Sequence, residues 1–157
     1  MNHGRSPNAD VLVRDFLPFA MDMLRAYREL RPFGAYMAND GTVTSVTPDL
    51  SEVSPPASSL VKLLRDRYRQ MAADGNVQAT AVVYDSYISI PNESAKRDAI
   101  AFELDTSDGY SMIWYWPYAF SDAGQFVVES PFAISGSKEI FGRSGSPNTS
   151  LERTREG

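Results

Sequence analysis

The chain has 157 residues, 43% of them hydrophobic and 22% charged, with no cysteine and a single histidine, His3. That length and composition describe one globular domain whose core needs no cross-links, and the missing thiols exclude a disulfide framework, a thiolate zinc site and a cysteine nucleophile. The formal net charge of −5 argues against nucleic acid, which requires a basic face to release counterions from phosphate, and biases any protein partner toward the basic.

Residues 1–10 are polar, carry Gly4 and Pro7 and lack the apolar stretch of a secretory signal, so they read as a disordered arm. No apolar run approaches the roughly 20 residues that span a bilayer; the expected location is the cytoplasm, with no membrane association. The folded body is expected over residues 11–141. Phe16, Ala20, Met23, Leu24 and Tyr27 recur at helical spacing. Asp15 is a candidate N-cap that would put Pro18 in a first turn, where proline is tolerated. Pro32 then stops a helix running from about Phe16 to Glu29.

Two short β-favouring runs, 33–38 and 42–46, flank Asp40-Gly41, a strong hairpin signal because glycine reaches positive φ freely. Thr47 to Ala57, with Pro48, Pro55 and Pro56, reads as a loop. Ser58 or Ser59 then caps a second helix whose apolar face is Leu60, Val61, Leu64, Tyr68, Met71 and Ala72, ended by Asp74-Gly75. Its basic residues Lys62, Arg65, Arg67 and Arg69 read as a solvated face.

From Val77 the period changes to two: Val77, Ala79, Ala81 and Val83 alternate with Gln78 and Thr80, and the pattern slips near Tyr84-Asp85 as if at a bulge or at the strand's exit from the sheet. Pro91 to Arg97 reads as a polar loop. Ala99–Thr106 and Tyr110–Trp116 form a hairpin around Ser107-Asp108-Gly109. A three-residue loop with left-handed Gly109 pairs Thr106 with Tyr110. One face then carries Ile100, Phe102, Leu104, Met112, Trp114 and Trp116, and the other Ala101, Glu103, Asp105, Ser111, Ile113 and Tyr115. A two-residue loop would set Glu103 and Asp105 beside both tryptophans, at the cost of burying unpaired carboxylates. A further hairpin through Ser121-Asp122-Ala123-Gly124 follows, and Phe132, Ile134, Ile140 and Phe141 supply a last apolar patch. Residues 142–157 lack periodicity and read as a disordered tail; their Ser-Leu-Glu-Arg-Thr-Arg is similar to endings found on many unrelated bacterial reading frames.

The order α-β-β-α-β-β-β-β predicts an α+β fold, an antiparallel sheet of about five strands with two helices on one face. This order resembles profilin-like and roadblock-like domains, a likeness of topology that carries no function.

Candidate chemistry is sparse. A lone histidine in the arm removes the Ser-His-Asp and histidine-metal designs, and the glycine-rich phosphate motifs are absent. Asp105 to Gly109 lacks the ligand spacing of a calcium loop and is explained by turn chemistry. No cofactor or metal is implied. Glu103 and Asp105, two apart on one strand, could serve as a carboxylate pair. Outward tyrosines, Tyr115 and Tyr87, beside Glu103 and Asp105 make an interaction surface of hot-spot composition.

Pro32-Phe33-Gly34-Ala35, Asp40-Gly41, Asp98-Ala99-Ile100 and Pro117-Tyr118 together resemble the pattern of a family of small uncharacterised bacterial proteins, over about Leu24 to Phe141. The chain departs from it with Leu30-Arg31 before Pro32, where the family carries an aromatic. The resemblance implies a bacterial, cytoplasmic protein and supplies no activity. Each matching residue also has a structural reason: close backbone approach at Gly34, the turn at Asp40-Gly41, the end of a ladder at Pro117. The expected function is a non-catalytic protein-interaction module of immunity or accessory type, with another protein or a second copy as partner. A small-ligand-binding, sensor-like domain and a carboxylate-dependent enzyme are the alternatives.

Overall fold

A computed structural model of the chain describes residues 6–47 and 55–142. Residues 1–5 and 143–157, half of the expected arm and nearly all of the expected tail, lie outside the described residues, as do 48–54 of the expected loop. The chain is α+β: among the described residues there are two helices and one antiparallel sheet of seven strands, two more than expected.

Helix α1 spans Pro7–Tyr27, so residues 7–10 are its first turn and not part of an arm. Ser6, rather than Asp15, is the N-cap; its hydroxyl accepts from the Ala9 amide at 3.3 Å, with Pro7 in the first turn and Asp10 near the positive end of the helix dipole. Pro18 is therefore interior, on the exposed side of the helix, and the stripe Ala9, Leu12, Ala20, Leu24 is buried around it. An N-terminal cap upstream of the apolar stripe outweighed the bias against interior proline because the added turns bury Ala9 and Leu12. Arg28, left-handed at φ 56°, ends the helix by donating to the Leu24 carbonyl.

Strands β1 (Phe33–Ala38) and β2 (Val43–Val46) form the expected hairpin, with Gly41 at φ 91°. Helix α2 (Ala57–Ala73) starts at Pro56 without a side-chain cap, so Ser58 and Ser59 sit inside its first turn. It ends as expected, with left-handed Gly75 just past Asp74. Strand β3 runs 13 residues, Val77–Ser89, straight through Tyr84-Asp85 in unbroken register with β4 (Lys96–Thr106). The apparent slip there marks the end of β1, whose last partner is Val83; the β3–β4 ribbon continues beyond it. Strand β5 (Ser111–Phe120) pairs with β4 in the expected register: Phe102 faces Trp114, Leu104 faces Met112, and the Thr106 amide donates to the Tyr110 carbonyl across Gly109 at φ 100°. The β4–β5 ladder ends at Pro117, and β5 then takes β6 (Phe126–Val128) as partner, while β7 (Phe132–Ser135) lies beside Met112–Tyr115.

The helices do not share a face. Ala79, Ala81 and Val83 of β3, with Ile100, Phe102 and Leu104 of β4, pack against α1. The alternate residue Val82 packs with Val61, Leu64 and Tyr68 of α2, and Tyr84 borders that cluster. The expectation of both helices on one side fails because the middle strands are apolar on both sides. Val82 breaks the alternation of β3, and Ala99-Ile100-Ala101-Phe102 of β4 is buried without interruption. Continuous apolar runs of this kind belong to strands covered twice. Each large side chain buried this way contributes about 1.5–3 kcal/mol. Gly34 makes the second layer possible: a Cβ there would stand 2.1 Å from the Tyr68 hydroxyl, so only glycine lets α2 come down onto β1.

Candidate functional site

On the α2 side, the registers of β3, β4, β5 and β7 set side chains in rows. Thr80, Asp105 and Ser111 form one row; Val82, Glu103, Ile113 and Ile134 the next; Tyr84, Ala101, Tyr115 and Phe132 the third. Helix α2 covers the β1–β3 half of these rows. After β7 the chain crosses back over the first row and buries Ile140 against Val61, Leu64 and Tyr68. Between α2 and this crossing segment lies a cleft of about 200 Å³, lined by Arg65, Glu103, Asp105, Ser111, Ile113 and Glu139, among others.

Glu103 is the tie between helix and sheet. Arg65 Nε donates to Oε1 at 2.9 Å, a second guanidinium nitrogen donates to Oε2, and the Tyr84 hydroxyl donates to that same oxygen at 2.5 Å. The Glu103 side chain is 13% exposed and that of Arg65 38%. The bidentate bond to Glu103 holds Arg65 still more firmly charged, and burial, reinforced by the Glu103 charge, pushes the Tyr84 hydroxyl up.

Asp105 has no such partner. It is 9% exposed. Ser111 Oγ donates to its Oδ1 at 2.7 Å, and among the described residues no cation lies within ion-pair distance of it. Burial pushes its pKa up to about 6 against the serine's opposing hydrogen bond, with Glu103 and Glu139 adding in the same direction. Ser111 is fixed from above: the Lys138 amide donates to its Oγ at 3.1 Å and the Gly136 amide to its carbonyl at 2.9 Å. A Cβ on Gly136 would meet Ser111 Oγ at 2.4 Å, so the close crossing needs glycine. Glu139 on the crossing segment pairs with Arg69, at 3.2 Å.

Beyond the cleft the face is apolar. Tyr115 stacks on Phe132 at 5.4 Å between ring centroids, Ile113 lies opposite Ile134, and Ile134 is 47% exposed. Burial, with a contribution from Glu103, pushes the Tyr115 hydroxyl up.

Of the four residues expected on one outward surface, the structure brings together three. Glu103, Asp105 and Tyr115 share the α2 face, but the two carboxylates are covered rather than outward, because α2 and the crossing segment close over their rows. Tyr87, 66% exposed, points to the opposite side, since its parity on β3 is that of Ala79, Ala81 and Val83. Sequence reasoning missed Arg65, taken for part of a solvated helix face; its one signal is its place next to Leu64, at the border of the apolar stripe. It also passed over Ser111, whose strand parity equals that of Tyr115 and whose row partner is Asp105.

No three His, Asp or Glu side chains gather as a metal site among the described residues, and no described helix is long and apolar enough to cross a membrane. The fold and site define an α+β domain with a carboxylate-lined cleft beside a partly exposed aromatic face. No family model matches the chain, and neither a curated protein nor a solved structure matches it.

Proposed function

We propose that this protein is a non-catalytic protein-interaction module, of the immunity or accessory kind expected of a bacterial cytoplasmic domain. The observation that carries this reading is the half of the α2 face that no described residue covers, where the partly buried Ile113, Tyr115 and Phe132 and the half-exposed Ile134 adjoin the cleft. Apolar and aromatic side chains grouped at a polar margin are the composition of an interaction hot spot. Both carboxylate oxygens of Glu103 are taken up by Arg65 and Tyr84, which weighs against Glu103 and Asp105 working as an acid and base pair.

Affinity capture with the wild-type chain and with Ile134→Asp as baits tests the reading, alongside light scattering for a second copy of the chain as partner. Self-association or a captured protein that Ile134→Asp abolishes supports it. A monomer whose captured proteins are the same for both baits overturns it. The carboxylates lining the cleft favour a second reading, a small-ligand-binding domain whose ligand is a compact cation; a small cation that raises the melting temperature of the wild type but not of Asp105→Asn would establish it.

A further inference from the structure

We propose that the cleft receives the side chain of a lysine or arginine from a partner polypeptide, with an apolar residue next to that cation lying on Tyr115 and Phe132. This rests on the interaction reading and names the partner's chemistry. Charge is the first argument. Three carboxylates line the cleft, Glu103, Asp105 and Glu139. Arg65 is spent on Glu103 and Arg69 on Glu139 and Asp66. Asp105 is left more than nine-tenths buried with a serine and, among the described residues, no cation within ion-pair distance, Arg65 acting on it only from its bond to Glu103. A buried carboxylate without a counter-charge is destabilised in its ionised form, and an entering ammonium or guanidinium relieves that cost only when bound.

Size is the second argument. At about 200 Å³ the cleft is smaller than the roughly 300–1,000 Å³ of small-molecule sites and suits one long side chain. Continuity is the third. Ile113 lines the cleft and is also the cross-strand neighbour of Ile134 and two residues from Tyr115. A free cation would leave this apolar margin uncovered; the residue flanking a lysine or arginine in a peptide covers it.

The probe is a random 12-residue peptide library displayed on phage and selected on the full chain, with the selected sequences then made synthetically. The expected result is enrichment of a lysine or arginine beside an apolar or aromatic residue. Affinity should fall at least tenfold when that cation is replaced by norleucine or citrulline. Asp105→Asn should weaken the cationic peptide about tenfold while leaving the neutral one unchanged, and Ile134→Asp should weaken both. Melting curves of the two variants establish that they are folded. If Ile134→Asp abolishes binding but neither Asp105→Asn nor the neutral peptide changes it, the interaction face stands and the cation inference falls. If n-butylguanidinium alone binds as tightly as the peptide and Ile134→Asp is without effect, the cleft is a small-cation pocket and the peptide inference is overturned. A selection yielding no binder sensitive to either variant overturns both the inference and the reading beneath it.

Discussion

Arg65 of α2 and Glu103 of β4 meet as a two-pronged ion pair over the middle of the sheet, and the Tyr84 hydroxyl donates to the same carboxylate from the neighbouring strand. One helix and two strands are thereby held in a single arrangement, and the wall of the cleft is fixed with them. Because Arg65 is more than a third exposed, solvent screens part of the attraction. Arg65→Ala is expected to lower stability by about 1–2 kcal/mol, and Tyr84→Phe by about 1 kcal/mol. A double-mutant cycle of Arg65→Ala with Glu103→Gln, read by urea denaturation, should give a coupling of about 1 kcal/mol. Strict additivity would mean that the pair does not hold α2 to the sheet.

Asp105 makes folding sensitive to pH in a definite direction. Its pKa is about 6 in the folded chain against an ordinary 3.8, so between those values the folded state binds more proton than the unfolded one. Stability from this group therefore falls as pH rises across that window, by about 2–3 kcal/mol in all, and the penalty is complete above it. Asp105→Asn carries no such proton. Between pH 4 and pH 7 the variant should lose about 2 kcal/mol less stability than the wild type, measured by urea denaturation at each end. Equal losses would show that Asp105 is solvated.

Gly34 and Tyr68 make a matched pair of tests. Gly34→Ala drives a methyl group against the Tyr68 hydroxyl and is expected to cost about 2 kcal/mol or more. That hydroxyl is buried and makes no hydrogen bond among the described residues, so Tyr68→Phe should be neutral or slightly stabilising, within about 1 kcal/mol. The double variant should recover part of the Gly34→Ala loss, but not all, because the ring carbon behind the oxygen is itself only 2.8 Å from the new methyl group. Thermal denaturation of the four proteins gives the answer.

Gly109 sets the β4–β5 register from a backbone φ of 100°, a conformation costly for any residue with a Cβ. Gly109→Ala should lower stability by about 1–2 kcal/mol, with the loss seen as a lower urea midpoint at unchanged slope. A neutral result would mean that the turn can be rebuilt without glycine.

The β4–β5 hairpin was legible from the chain because its evidence is local. A glycine three residues past Thr106 selects the loop, and the loop places Trp114 opposite Phe102 and Ser111 opposite Asp105. The apolar face of α2 was legible for the same reason, as was the glycine stop at Gly75; of the stripe expected in α1, Ala20 and Leu24 are buried but Tyr27 is exposed. Where α1 begins was not. The pull of Pro18 toward a first turn is local as well, and it lost to burial of Ala9 and Leu12 against strands far along the chain.

Periodicity determined which side chains travel together: Glu103, Asp105, Ser111 and Tyr115 on one face, the tryptophans on the other. It could not determine what lies over either face, since a strand's alternation is identical whether its far side meets solvent or a helix. Only the tertiary structure placed α2 opposite α1, turning an expected outer surface into a covered cleft with Arg65 at its wall and separating Tyr87 from Tyr115. The deciding contacts, Arg65 with Glu103 and Ile140 with Leu64, join residues 38 and 76 positions apart, and packing at such separations leaves no periodic trace in the chain.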